Sequence, residues 1–317
     1  IKECQELFTV SKKDFYDKLD ENKNLIGFEN GVYDTDEGVF RDGMPTDYLT
    51  FTCGVDYTTE LNIDNVNLIK KFMYSMFEDD EMVQYLWNTT SYCVSGDRYL
   101  EVLEFYTGDG ANGKGTYAKL LKNAFGDYYY EPNVSVFTCK KTSSSSANPE
   151  LAKTKGKRIV MASEPEETDK FQIGAIKNWT GGDLIQAREL FKNNIEFNCQ
   201  FKIAIQMNNK PKLSNLDGGI ARRIRMVHFP YKFVDSPMLP HERQGDNTLK
   251  KRFETDKSIA QTFMMMLIEN YNINIKGNKT FPVPNKIKED TQSYLDENNK
   301  VKAFLVEYVE ITKDEND

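Results

Sequence analysis

The spacing of apolar and polar residues changes several times along the chain, and each change predicts a different kind of element. In Asn24-Leu25-Ile26-Gly27-Phe28 and Gly31-Val32-Tyr33-Asp34 the two kinds alternate. Asp36-Glu37-Gly38 then turns the chain into Val39-Phe40-Arg41, which predicts a hairpin. From Ile63 to about Cys93 the residues Val66, Ile69, Phe72, Met73, Met76, Phe77, Met82, Tyr85 and Leu86 recur at helical spacing. This predicts two helices broken near Glu78-Asp79-Asp80-Glu81, with the methionine and phenylalanine stripe as core. From Leu103 to about Pro230 short apolar runs alternate with helical or hairpin segments, the pattern of a parallel-type α/β sheet. Lys140 to Ser146 reads as a polar surface loop. Beyond Val234 the chain is helical again. Ile259 to Tyr271 is the strongest run, Pro282 and Pro284 interrupt it, and Lys286 to Leu295 and Val301 to Val309 predict two more helices.

One junction in the sheet region carries chemistry. The apolar run Val102-Leu103-Glu104-Phe105-Tyr106 leads into Gly108-Asp109-Gly110-Ala111-Asn112-Gly113-Lys114-Gly115-Thr116, and a helical segment follows from Tyr117. Strand, glycine loop and helix together make the setting of a phosphate-binding loop. Glycines let backbone N–H groups turn inward around anionic oxygens. The helix N-terminus adds partial positive charge, and Lys114 can reach the outer phosphates. The expected cofactor-binding residues are Gly108, Gly110, Ala111, Asn112, Gly113, Lys114, Gly115 and Thr116. The position after the lysine ordinarily carries Ser or Thr to hold Mg²⁺, and here it is Gly115. Thr116 lies one helical step on, turned by about 100°. Either it bends in as the ligand or the ion keeps more of its waters.

Charge and composition narrow the partners. The chain has 317 residues and a net charge of −8, which argues against a general coat for nucleic acid. Between Gln186 and Lys232, however, nine basic residues stand against three acidic ones, as a local channel for a polyanion would need. Five scattered cysteines without a Cys-x-x-Cys pair, and only two histidines, point to a reducing, intracellular setting and away from a zinc site. No apolar run reaches membrane-spanning length, so no membrane partner is expected. Ile1 and the ending at Asp317 read as those of an excised piece.

Four further strings follow the loop, each read as lying at or just past a strand end. Ile159-Val160-Met161-Ala162-Ser163 ends in Glu164, with Glu166 close behind. A carboxylate there can hold hydrated Mg²⁺ or polarise a water, and Glu164 is the better placed. Phe201 to Met207 ends in Asn208-Asn209, where an amide can sense the γ-phosphate or simply form a turn. Asp217-Gly218-Gly219-Ile220-Ala221 leads to Arg222, Arg223 and Arg225, which suit bidentate phosphate contacts or a solvated cluster. Arg188 to Phe197 reads as a hairpin, with Leu190-Phe191 and Ile195-Phe197 flanking a polar tip at Lys192, Asn193 and Asn194. That tip suits either solvent or a nucleic-acid phosphate.

Taken together, Gly-Ala-Asn-Gly-Lys, Gly-Lys-Arg-Ile-Val-Met-Ala-Ser-Glu-Pro-Glu, Lys-Asn-Trp-Thr-Gly-Gly-Asp-Leu-Ile-Gln-Ala-Arg, Met-Asn-Asn-Lys-Pro and Asp-Gly-Gly-Ile-Ala-Arg-Arg-Ile-Arg resemble the superfamily 3 helicase core, a branch of the AAA+ ATPases. The nearest likeness is the helicase part of primase-helicases from large DNA viruses and phages. Asn30-Gly31-Val32-Tyr33-Asp34 is similar to the small domain that precedes it. The resemblance implies an α/β fold: a P-loop sheet with helices on both faces, a small mixed domain before it and helices after it. It divides the chain into a small α+β domain at 1–60, a helical oligomerisation segment at 61–98, the ATPase core at 99–235 and a C-terminal helical segment at 236–317. It implies a homo-oligomeric ring, a hexamer, that hydrolyses ATP with Mg²⁺ and moves 3′ to 5′ along single-stranded DNA. A primase module and other replication proteins would be its partners, in the host cytoplasm or at a replication site if viral.

The family's roles fall on Lys114 for the phosphates, Glu164 with Glu166 for the ion and water, and Asn208 as sensor. Arg222 or Arg223 becomes the finger acting on the adjacent subunit. Lys192, with Arg188, Asn193 and Asn194, follows the DNA backbone, and Thr116 with Glu164 holds the metal. Two other functions stay open: a nucleotide-loaded clamp without unwinding, and a P-loop nucleotide kinase, suggested by Gly115-Thr116.

Overall fold

The computed structural model describes residues 12–138, 147–165, 169–191, 194–208, 210, 213, 217–278 and 280–299. Helix α1 (Lys12–Lys18) leads into an antiparallel meander of β1 (Leu25–Phe28), β2 (Gly31–Asp34) and β3 (Val39–Arg41). The expected turn forms as its residue types demand. The Asp34 carboxylate accepts from the N–H groups of Asp36 and Glu37, and Gly38 takes φ +78°.

Helices α2 (Ile63–Ser75) and α3 (Asp80–Ser91) follow, capped by the side chains of Asn62 and Asp79. The break between them falls where the acidic cluster predicts it. Glu78 sits at φ +48°, and its carboxylate is gripped by both arms of Arg243, at 2.6 and 2.7 Å. The methionine and phenylalanine stripe is buried as expected.

Strands β4 (Leu103–Thr107), β5 (Tyr129–Tyr130), β6 (Ile159–Ser163), β9 (Lys202–Met207) and β10 (Ile224–His228) form the central sheet. They lie in the order β10-β4-β9-β6-β5, and every pairing is parallel. A parallel sheet must be covered on both faces, and the alternation along each strand divides the core accordingly. Ile159, Met161, Ala204 and Val227 join one cluster with α2, α3, α4 (Lys114–Phe125) and α10 (Lys257–Asn270). Phe105, Val160, Ile203, Ile205 and Met226 join a second with α7 (Ile173–Gly181) and Tyr294 of α11 (Asn285–Glu297). The short helices α5 (Ser135–Thr138), α6 (Pro149–Ala152) and α8 (Gly218–Ala221), together with α9 (Leu249–Thr255), complete the described α-helices. Strands β7 (Leu184–Arg188) and β8 (Asn194–Asn198) make a separate antiparallel hairpin, and β11 (Lys232–Val234) pairs with β12 (Glu242–Gln244).

The sheet therefore has helices on both faces, a mixed segment before it and helices after it, as the sequence predicts. The predicted helix from Val301 to Val309 and the loop from Lys140 to Ser146 lie outside the described residues.

The core also contains a charge pair that the sequence does not announce. Glu104, fully buried on β4, accepts from Lys202 Nζ at 2.5 Å, from the hydroxyls of Tyr85 and Thr89 at 2.7 Å each, and from Tyr106 at 2.8 Å. Burial would raise the Glu104 carboxyl, but the Lys202 ammonium and the Thr89 and Tyr85 donors hold it below its usual value. This network ties α3 to two adjacent strands.

Candidate functional site

From β4 the chain first builds β5, β6 and β9 to one side, then returns to lay β10 on the other. The outer ends of β4 and its neighbours are thus a topological switch point, where open α/β sheets form crevices. The glycine loop lies there, between the end of β4 at Thr107 and the start of α4 at Lys114. Gly110 and Gly113 take φ +90° and +87°, and Ala111 follows them into left-handed space at +47°. At Gly108 an added Cβ would lie 2.7 Å from the Phe229 carbonyl, so that position has no room for a side chain. Gly113 caps α4 without a side-chain bond, which leaves first-turn N–H groups for another acceptor. Asn112 Nδ2 is buried without a hydrogen-bond partner among the described residues.

Lys114 is 5% exposed. Its ammonium donates to the Gly108 carbonyl at 2.8 Å and to Asn208 Oδ1 at 3.3 Å, and both acceptors are neutral. Burial lowers its pKa to about 8, against the opposing pull of Asp109 and Glu164. A buried cation held by two neutral acceptors, beside open helix N–H groups, is built to receive an anion.

Asn208 directly follows β9, and Glu164 directly follows β6. Glu164 is exposed at φ +56°, with its N–H bonded to the Gln206 carbonyl at 2.8 Å. Three separated strings therefore converge on one edge: Lys114, Asn208 and Glu164. Gln206 belongs with them and was not foreseen; its amide reaches the Lys114 carbonyl at 3.4 Å. Its position two residues before Asn208, on the opposite pleat from Ile205 and Met207, was the available signal. Glu166 lies outside the described residues.

On the other side of the loop lies a cavity of about 690 Å³. Gly115 and Thr116 line it, with Phe72 from α2, Phe233 and Asp235 from the β11 region, and Lys250 from α9. Asp109 and Glu164 act on the lysine, Thr116 lines the cavity, and among the described residues no group of three or more His, Cys, Asp or Glu side chains is gathered to hold a metal.

The arginines correct the sequence reading. Arg222 and Arg223 stand before a strand rather than at its end, and Arg225 is the second residue of that strand, β10. Ile224, the first residue of β10, pairs with Leu103, the first of β4, whereas the glycine loop follows the far end of β4. A strand of five residues separates them, roughly 16 Å. The pair also divides. Arg223 is buried and held within its own subunit by Glu101 at 2.6 Å, Thr180 Oγ1 at 3.0 Å and the Gly219 carbonyl at 2.7 Å. Arg222 is exposed and meets Glu101 at 2.8 Å.

The hairpin also differs in detail. Arg188 pairs with Asn194 at the mouth of the turn, so Asn194 is the first residue of β8 rather than the tip. Leu190 and Phe191, expected to flank the tip as strand residues, lie in the turn itself, 61% and 104% exposed, with Phe191 at φ +60°. Lys192 and Asn193 lie outside the described residues.

Comparison with known proteins agrees with the motif resemblance. Residues 1–78 match the family described as D5 N terminal like, and residues 106–223 match a family of unknown function, DUF5906. The chain is 36% identical to the putative helicase L207/L206 of Acanthamoeba polyphaga mimivirus, over 86% of this chain and 29% of that protein. It is 26% identical to primase D5 of Fowlpox virus, over 83% of this chain and 35% of that protein. The chain thus spans about a third of the length of these curated relatives. Among solved structures, the apo NrS-1 C-terminal region superposes with a TM-score of 0.57 at 14% identity, covering 88% of this chain and 58% of that one, which supports the fold.

Proposed function

We propose that this relative of the helicases and D5 primases of large DNA viruses is the motor of a DNA helicase. It works as a superfamily 3 ATPase in a ring, hydrolysing ATP to move along single-stranded DNA. The observation that supports this most is the buried Lys114 ammonium, whose hydrogen-bond acceptors among the described residues are neutral oxygens, with Asn208 and Glu164 just past the ends of the neighbouring strands.

In this reading, the N–H groups of the loop and of α4 receive the phosphates, and Lys114 leaves Gly108 and Asn208 to follow the outer ones. Asn208, freed from Lys114, turns its amide to the γ-phosphate or the attacking water. Glu164 orients that water and accepts its proton. Mg²⁺ usually needs only one or two protein oxygens beside the substrate's phosphates, and the chain offers two candidates: the Thr116 hydroxyl, which lines the cavity, and the exposed Glu164 carboxylate just after β6. When bound, the ion neutralises phosphate charge.

The placement of Arg222 favours action in trans. It is exposed and stands a full strand length from its own loop. A cyclic ring gives every subunit the same heterologous contact, so one subunit's Arg222 can serve its neighbour's triphosphate. The β7–β8 hairpin, with Arg188, Lys192, Asn193 and Asn194, tracks the DNA backbone, and the bare ring of Phe191 offers a base a stacking surface.

The test is ATP hydrolysis with and without single-stranded DNA, together with particle mass under both conditions. DNA-stimulated turnover by a ring, lost in Lys114→Ala, is the expected result. Tight ATP binding without turnover would favour the clamp, and phosphate transfer to a nucleoside monophosphate would favour the kinase. Lys114→Ala with unchanged hydrolysis would sink the proposal.

A further inference from the structure

Gly115 leaves an opening in the phosphate loop, and the structure shows what faces it. A Cβ built at Gly115 would lie 3.9 Å from Lys250 Nζ, with no other heavy atom outside its own helix and chain neighbours within 4 Å. Lys250 belongs to α9, well over a hundred residues further along the chain, and α9 packs along α4. Lys250 lines the same cavity as Gly115 and Thr116, and Lys71 lines it from α2. Three acids stand near it, Asp235 and Asp246 in the cavity lining and Glu254 on α9. Glu254, one turn further along α9, holds Lys119 at 2.7 Å. Asp246 accepts from the Thr248 hydroxyl at 2.7 Å and its N–H at 2.9 Å, and Asp235 accepts from Asn247 at 3.0 Å.

We infer that Lys250 is a phosphate-contacting residue of the nucleotide site, entering through the opening that Gly115 leaves. The inference rests on the nucleotide reading of the loop and deepens it. A loop with Ser or Thr after its lysine places a hydroxyl on this side. Here an ammonium on a flexible stem approaches the same place and supplies positive charge directly. The triphosphate is then clamped by Lys114 at the buried end and by Lys250 at the cavity end.

The experiment uses the whole chain and three fluorescent probes carrying the same dye: ATP, ADP and adenosine. Lys250→Ala is expected to weaken ATP binding roughly ten- to hundredfold, the worth of one charge-assisted contact, and to leave adenosine binding and the melting temperature unchanged. Lys250→Arg keeps the charge and is expected to restore ATP affinity to within about threefold of the parent. ATP affinity unchanged in Lys250→Ala, or an equal loss for adenosine, overturns the inference. A parent chain that binds none of the probes, or Lys114→Ala binding ATP as tightly as the parent, overturns the nucleotide reading itself. The two failures are therefore distinct.

Discussion

At the outer ends of β4, β6 and β9 the buried Lys114 ammonium rests on a carbonyl and an amide oxygen, and the helix beside it is capped by Gly113, which has no side chain to bond its first-turn N–H groups. At the opposite ends of the same sheet the buried Arg223 guanidinium rests on the Glu101 carboxylate, a hydroxyl and a carbonyl. Both cations are taken out of water, but among the described residues only Arg223 has an ion-pair partner. A buried charge with a carboxylate partner is neutralised within the fold. One without such a partner is held at a cost in stability, and a ligand can recover that cost. Arg222 makes the contrast sharper. It is the sequence neighbour of Arg223 and reaches the same Glu101, yet it is exposed and can leave.

The comparison can be broken in four places. Arg222→Ala should lower hydrolysis by the assembled ring roughly 10³-fold while leaving the melting temperature unchanged. A ring mixed from Arg222→Ala and Lys114→Ala subunits should recover part of the rate, which a finger acting within its own subunit would not allow. Glu104→Ala leaves Lys202 buried without its partner and should cost about 3–5 kcal/mol in denaturant unfolding. An effect below about 1 kcal/mol would show that water reaches the pair.

Arg223→Ala should destabilise by about 2 kcal/mol through the loss of its buried bonds to Thr180, Gly219 and Glu101. If it behaves like Arg222→Ala instead, with intact stability and lost turnover, the division between the two arginines is wrong.

The smallest effect runs the other way. Lys114→Met should raise stability by roughly 1 kcal/mol at pH 7, because it removes an unneutralised buried cation while keeping the stem. The sign can be checked with pH. The folded pKa of Lys114 is lowered to about 8 from 10.5, so between those values the unfolded chain binds more protons and the parent gains stability as pH rises. The advantage of Lys114→Met should therefore shrink between pH 8 and pH 10.5 in thermal melts. A constant advantage across that window would mean that the lysine is not buried in its charged form.

Much of the architecture could be read from local pattern. The short apolar runs at Leu103–Thr107, Ile159–Ser163 and Lys202–Met207 became neighbouring strands because each is largely apolar on both pleats, which a doubly covered sheet accommodates. The break at Glu78-Asp79-Asp80-Glu81 was legible because Asp79 is a good helix cap. Lys114, Glu164 and Asn208 were legible because each directly follows, or begins the helix after, an apolar run. The arginines were misread because Ala221-Arg222-Arg223-Ile224 gives no sign of whether it ends a strand or starts one. Phe191 was misread because apolar residues around a turn look the same whether they pack or stand free.

The sequence by itself determined the strands, the glycine loop and the helix that opens behind it, because glycine placement and hydrophobic period act over a few residues. Only the tertiary structure decided which charges find partners. Glu104 meets Lys202, Arg223 meets Glu101, and Lys250 arrives opposite Gly115. Those distances are set by how strands are ordered and helices pack, over separations at which the chain carries no local signal.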